Sequence, residues 1–215
     1  MSNVGTLNEK SLHAALKLYF EPNPANHEVP VGGYVADIVG ERGIIEIQTG
    51  NFWGIREKLE AFLAVTDVTL VHPVPRVKWI VWPDGTRRKS PQRGTVYTAF
   101  DELIHIKPLL SNERLHVCVV LADMEERRER TRATRRGSVR VDRTIKEIAD
   151  IVYIDDWRDL VPAELSEPFT SKNFAAAAHI PVPAAQTALG ALYAAGAVRR
   201  EGKTGNAYLY VKNEK

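Results

Sequence analysis

Asp37 and Glu46 carry side chains that can hold a hard cation, and their neighbours place both on adjoining strands. The stretch Gly33 to Gln48, GYVADIVGERGIIEIQ, reads as one tight β-turn-β unit. Val29, Val31, Tyr34, Val35, Ile38 and Val39 supply a first β-rich run, Gly40 to Gly43 the turn, and Ile44, Ile45 and Ile47 the second run. Glu46 and Gln48 stand two apart, so the strand period of two sends both to one face while Ile45 and Ile47 take the other. Folding at the glycines carries Asp37 across to the face of Glu46. Two carboxylates from facing strands, with the backbone carbonyl of Ile47 between Glu46 and Gln48, suit a hard, hydrated ion such as Mg²⁺ (or Mn²⁺).

The same residues have a plainer reading, in which Asp37 and Glu46 are solvent-facing acids of an exposed hairpin and Lys58 belongs to a charged helix face with Arg56, Glu57 and Glu60. The surroundings favour the metal site. Ala36-Asp-Ile-Val and Ile44-Ile-Glu-Ile have the composition of central strands buried on both faces, where an unpaired carboxylate is costly.

Several elements must position these groups. Leu12, Ala15, Leu16 and Tyr19 recur at helical spacing over residues 8–19, with Asn8 as a cap, and Glu9, His13 and Lys17 form a second stripe at i, i+4, i+8. That stripe either turns Glu9 toward the hairpin or is a solvated face. A helix from about Trp53 to Val65 carries Lys58. Strand-like runs follow at Val68 to His72 and Val77 to Trp82, then a turn at Pro83-Asp-Gly, a helix from Ala99 to about Ile106 and a strand from Leu115 to Leu121. Cys118 reads as a small core residue within that last strand.

Length and composition bound the rest. The chain has 215 residues, enough for one domain with a small appendage, and its 44% hydrophobic content supports a core. No run approaches the ~20 apolar residues of a membrane span, so no membrane partner is expected. The first residues lack a charged start followed by an apolar stretch, and a single cysteine excludes an internal disulfide framework. A cytoplasmic location is expected.

The net charge is only +2, but it is segregated. Arg87, Arg88, Lys89 and Arg93 lie in an acid-free segment, and residues 127–143 hold eight arginines, Arg135 and Arg136 among them, against Glu129 and Asp142. These are local basic surfaces of the kind that contact a phosphate backbone, or else solvated turns and hinges. Glu125, Glu126 and Glu129 precede arginines at helical spacing, so residues 125–150 read as a basic linker or an exposed helix.

The C-terminal part, residues 151–215, reads as a winged helix-turn-helix. Thr170 or Ser171 caps a helix over Lys172 to His179, Pro181-Val-Pro183 turns, Ala184 to Ala195 forms a second helix, and a hairpin runs from Val198 to Val211. The second helix offers chiefly Gln186, Thr187 and Tyr193 for base contacts, and only the wing (Arg199, Arg200, Lys203) is basic. Docking of protein, including a homodimer through this module, competes with DNA reading.

The first 124 residues resemble the PD-(D/E)XK nuclease superfamily. The residues that carry the resemblance are Asp37 and the acid-x-Gln tripeptide Glu46-Ile47-Gln48, within an α-β-β-α-β order over residues 7 to 123. It implies an α/β fold with a restriction-endonuclease-like αβββαβ core around a mixed sheet, and Mg²⁺-dependent cleavage of nucleic acid, DNA first and RNA second. Asp37 and Glu46 would ligate the ion, Gln48 and Lys58 would orient water or stabilise charge, and Glu9 would complete the site. Gln48 stands where lysine is usual, and Lys58 is the substitute. The alternative is a non-catalytic nucleic-acid or protein adaptor that keeps the fold.

Overall fold

The computed structural model describes residues 11–134 and 137–214. Runs of Val and Ile build one mixed sheet in the order β1-β2-β3-β4-β6-β7: β1 (His27–Val31), β2 (Tyr34–Gly40), β3 (Gly43–Ile47), β4 (Val68–Val81), β6 (Leu115–Arg130) and β7 (Ser138–Ile154), with the short β5 (Arg87–Lys89) paired to β4. The pairs β1–β2, β2–β3 and β6–β7 are antiparallel, and β3–β4 and β4–β6 are parallel. The expected hairpin around Asp37 and Glu46 is therefore β2 and β3. Its turn requires glycine at 43: the backbone is left-handed there (φ +103°), and a Cβ would lie 2.3 Å from the Asp67 carbonyl oxygen.

Helices cover both faces. On one side α1 (Leu12–Phe20) buries Leu12 and Leu16 against Ile38, Ile47, Val71 and Met124. On the other, Leu59, Phe62 and Leu63 of α2 (Arg56–Leu63) and Phe100 and Leu103 of α3 (Phe100–Leu103) fill a larger cluster. That cluster continues into α4 (Ser171–Ala177), α5 (Val182–Ala194) and the hairpin β8 (Val198–Thr204) and β9 (Ala207–Lys212), through Phe169, Phe174, Leu189 and Tyr210. Thr170 caps α4 in a reciprocal box with Asn173. Among the described residues no helix is long and apolar enough to cross a membrane.

Three sequence expectations change. First, Val68 to His72 and Val77 to Trp82 form one strand, bulged between Pro75 and Val77. Its prolines, Pro73 and Pro75, fall where pairing with β3 has ended at Val71 and pairing with β5 has not yet begun at Trp79, so one flank asks for no N–H there. Second, the stretch expected as a linker or helix is largely strand: residues 125–130 belong to β6 and residues 138–150 to β7, so the sheet continues past residue 124 to Ile154.

Of the acids that suggested i,i+4 helix pairs, Glu125 and Glu126 find partners on neighbouring strands instead. Arg127 bonds Asp142 at 3.2 Å, and Glu125 meets Arg87 at 3.0 Å and Lys146 at 2.9 Å. Third, Arg87, Arg88 and Lys89 are not a free loop. They form β5, opposite Val81, Ile80 and Trp79.

Candidate active site

The β2–β3 ladder runs from Gly40 opposite Gly43 to Ile38 opposite Ile45. At the next step side chains replace the ladder carbonyls. The Asp37 amide donates to Glu46 Oε2 at 3.3 Å, and the Ile47 amide donates to Asp37 Oδ2 at 2.9 Å. Each acid thus fixes the backbone of the opposite strand, and the two carboxylates are held together at the point where the strands part.

Both flanking helices deliver cations there. Lys58 on α2 donates its ammonium to Glu46 Oε1. From α1, His13 Nε2 lies 3.0 Å from Asp37 Oδ2, and because a carboxylate only accepts, the imidazole donates. Lys17 Nζ sits 3.9 Å from Asp37 Oδ1 and 2.9 Å from Glu28 Oε1. The helical stripe of His13 and Lys17 is therefore turned into the site.

The two acids respond differently to this setting. Burial raises the Asp37 carboxyl, but hydrogen bonds from His13 and the Ile47 amide, with the charges of His13 and Lys58, outweigh it and hold Asp37 below its ordinary range. Glu46, 2% exposed, moves the other way: burial and the charge of Asp37 raise it, and Lys58 only partly compensates. Two acids whose environments drive them apart in this way mark a candidate functional site.

The structure brings together Asp37, Glu46 and Lys58 as expected. It does not bring in Gln48, whose amide donates to the Gly50 carbonyl and reaches the Asn51 carbonyl at 3.5 Å, fastening the loop that leads to α2. The Gln48 carbonyl accepts from Nδ1 of buried His72 at 2.7 Å, and His72 packs edge-on against Phe52. Glu9 lies outside the described residues. Sequence reasoning missed His13, Lys17 and His72 as parts of the site. The i,i+4 spacing of His13 and Lys17 was the available signal, and His72 had none.

Donor chemistry fits Mg²⁺ or Mn²⁺ better than zinc. Among the described residues no three or more His, Cys, Asp and Glu gather as a metal-binding group. Two hard carboxylates are the usual protein contribution to Mg²⁺, which keeps several waters.

The expected phosphate-contact residues sort by what they already touch. Arg87 stacks 3.9 Å over the Trp79 ring centroid while paired to Glu125, and Arg199 is paired to Glu201 at 2.8 Å. Among the described residues Arg88, Lys89, Arg93, Arg200 and Lys203 have no ion-pair partner, although Lys89 also lies over Trp79. Arg200 lies 3.9 Å over Tyr208 and 4.6 Å over Tyr193, and Lys203 4.7 Å over Tyr208, a cationic and aromatic face between α5 and the β8–β9 hairpin. Arg135 and Arg136 lie outside the described residues.

A family model described as a domain of unknown function (DUF8091) matches residues 10–155. The chain belongs to the DUF8091 family. That match takes in α1, the whole sheet to the end of β7, and every residue of the Asp37 and Glu46 site, and leaves α4, α5 and the last hairpin outside. An uncharacterized protein of Treponema pallidum (strain Nichols) is 30% identical to this DUF8091 member, over 79% of this chain and 69% of its own length. No solved structure matches.

Proposed function

We propose that this chain is a Mg²⁺-dependent phosphodiesterase of nucleic acid, DNA first, built on a PD-(D/E)XK core with a C-terminal winged helix and working in the cytoplasm. The observation that carries this reading is the meeting of Asp37, Glu46 and Lys58 where β2 and β3 part. The element order α1-β1-β2-β3-α2-β4 and the mixed sheet are also those that the resemblance implies.

Asp37 and Glu46 are the residues that would hold the ion. When bound, Mg²⁺ neutralises phosphate charge and lowers the pKa of its water. The chain's own groups do the rest. His13 and the Ile47 amide keep Asp37 ionised and fixed in direction. Lys58, 20% exposed on its side chain, offers an ammonium beside Glu46 for charge that develops on the phosphate. His72 and the Gln48 amide hold the strand end and the following loop. Arg200 and Lys203, unpaired among the described residues and lying over tyrosines, offer cations and rings to a strand.

One observation favours the adaptor reading: Gln48 replaces the usual lysine, and its amide is spent on the loop rather than the carboxylates. Cleavage of end-labelled DNA and RNA separates the two. The nuclease reading expects Mg²⁺-dependent turnover that falls roughly a thousandfold in Asp37→Asn. Nucleic-acid binding without turnover in Mg²⁺ or Mn²⁺, unchanged by that substitution, would leave the adaptor.

A further inference from the structure

A second polar cluster lies on other strands, and none of the groups around Asp37 contributes to it. Glu126 of β6 is 1% exposed. Its Oε1 accepts from Arg128 Nε at 2.6 Å and its Oε2 from Arg143 NH2 at 3.0 Å, with Lys78 Nζ of β4 at 3.9 Å from Oε2. Both carboxylate oxygens are therefore used by arginines. Arg140 of β7 stands beside them with no ion-pair partner among the described residues, and Ser138 Oγ receives Arg128 NH1 at 3.3 Å.

These six side chains line an open cleft of about 500 Å³. Four positive charges face one carboxylate in it. The like-charge conflict is felt inside the cluster, since Arg140, Arg128 and Arg143 each oppose the charge on Lys78. Arg143 Nε is buried without a hydrogen-bond partner among the described residues. Buried donors are normally satisfied, and desolvated cations normally have counter-ions.

We propose that this cleft between β4, β6 and β7 is a binding site for a phosphate group. Planar guanidinium forks, an ammonium and a hydroxyl match an acceptor with several oxygens and two charges. A carboxylate would supply one charge and two oxygens, and Glu126 already fills that role. The group comes either from a free phosphate or nucleotide, or from the end or backbone of a nucleic-acid strand. The site stands independently of cleavage at Asp37.

The test is thermal unfolding of the full chain in EDTA with rising inorganic phosphate, ionic strength held constant with chloride. Wild type gains stability saturably, and Asp37→Asn responds identically. Arg140→Gln, at an exposed position where folding is not at stake, and Lys78→Gln each weaken the apparent phosphate affinity at least about tenfold, because each removes a charge-assisted contact. Competition then assigns the source. Displacement of phosphate by a 5′-phosphorylated oligonucleotide alone points to a strand end, equal displacement by its unphosphorylated form points to the backbone, and displacement by neither points to a free phosphate. Each of these upholds the site. An absent or unsaturable response, or wild-type affinity in Arg140→Gln, overturns it.

Discussion

Glu46 and Glu126 are the two carboxylate side chains buried in the described residues, 2% and 1% exposed, on strands of the same sheet, and they are handled in opposite ways. Glu46 has one close cation, Lys58, and a second acid, Asp37, whose charge pushes it up. Glu126 has two arginines in direct contact and a lysine nearby, and these hold it below its ordinary value although burial pushes upward. Burial pushes both upward, and the neighbouring charges decide whether that push prevails. One site sets two acids side by side, and the other gathers cations about a single acid.

Removing each acid should expose that difference most strongly. Glu126→Gln leaves Arg128, Arg143 and Lys78 facing one another in a partly buried cleft, and breaking such a pair costs about 3 kcal/mol or more. Glu46→Gln relieves a like-charge conflict with Asp37, and Lys58 can swing to water, so stability at neutral pH should equal or exceed that of wild type. Urea unfolding of the three proteins checks both. Equal losses in the two variants would break the comparison.

A smaller effect lies in pH. The folded pKa of Glu46 is raised above 4.5, so the folded state binds more protons than the unfolded one above that pH, and stability falls as pH rises through the folded value. For Glu126 the folded pKa is lowered, so its contribution is present above 4.5 and is lost as pH falls through the folded value. Across a pH series the advantage of Glu46→Gln over wild type should therefore widen above pH 4.5 and then level off. The deficit of Glu126→Gln should shrink below it. Parallel curves for all three proteins would show that neither acid is coupled to folding.

The two regions were not equally legible in the sequence. Asp37 and Glu46 could be placed together because a short hairpin with glycines at its turn fixes which side chains share a face. Lys58 followed from the next helix. His13 and Lys17 were visible as a stripe, but spacing on one helix does not reveal what that face meets. Gln48 was assigned by its place in the motif, whereas the local carbonyls of Gly50 and Asn51 claim its amide.

The Glu126 cluster was hidden for a physical reason. Glu and Arg three or four residues apart are also what a helix would use, and the period of two that sorts them here is interrupted by register shifts after Leu121, Asp123 and Arg127. Lys78 comes from a strand far away in sequence, behind a bulge that resets its face. Long-range pairing of that kind leaves no local pattern to read.

The central claim, that Asp37 and Glu46 form a cation site, is tested most directly by titrating Mn²⁺ into the full chain and following the free-ion signal by electron paramagnetic resonance. The account predicts saturable binding in wild type that weakens at least about tenfold in Asp37→Asn, with circular dichroism unchanged. Wild-type Mn²⁺ affinity in that variant would contradict it.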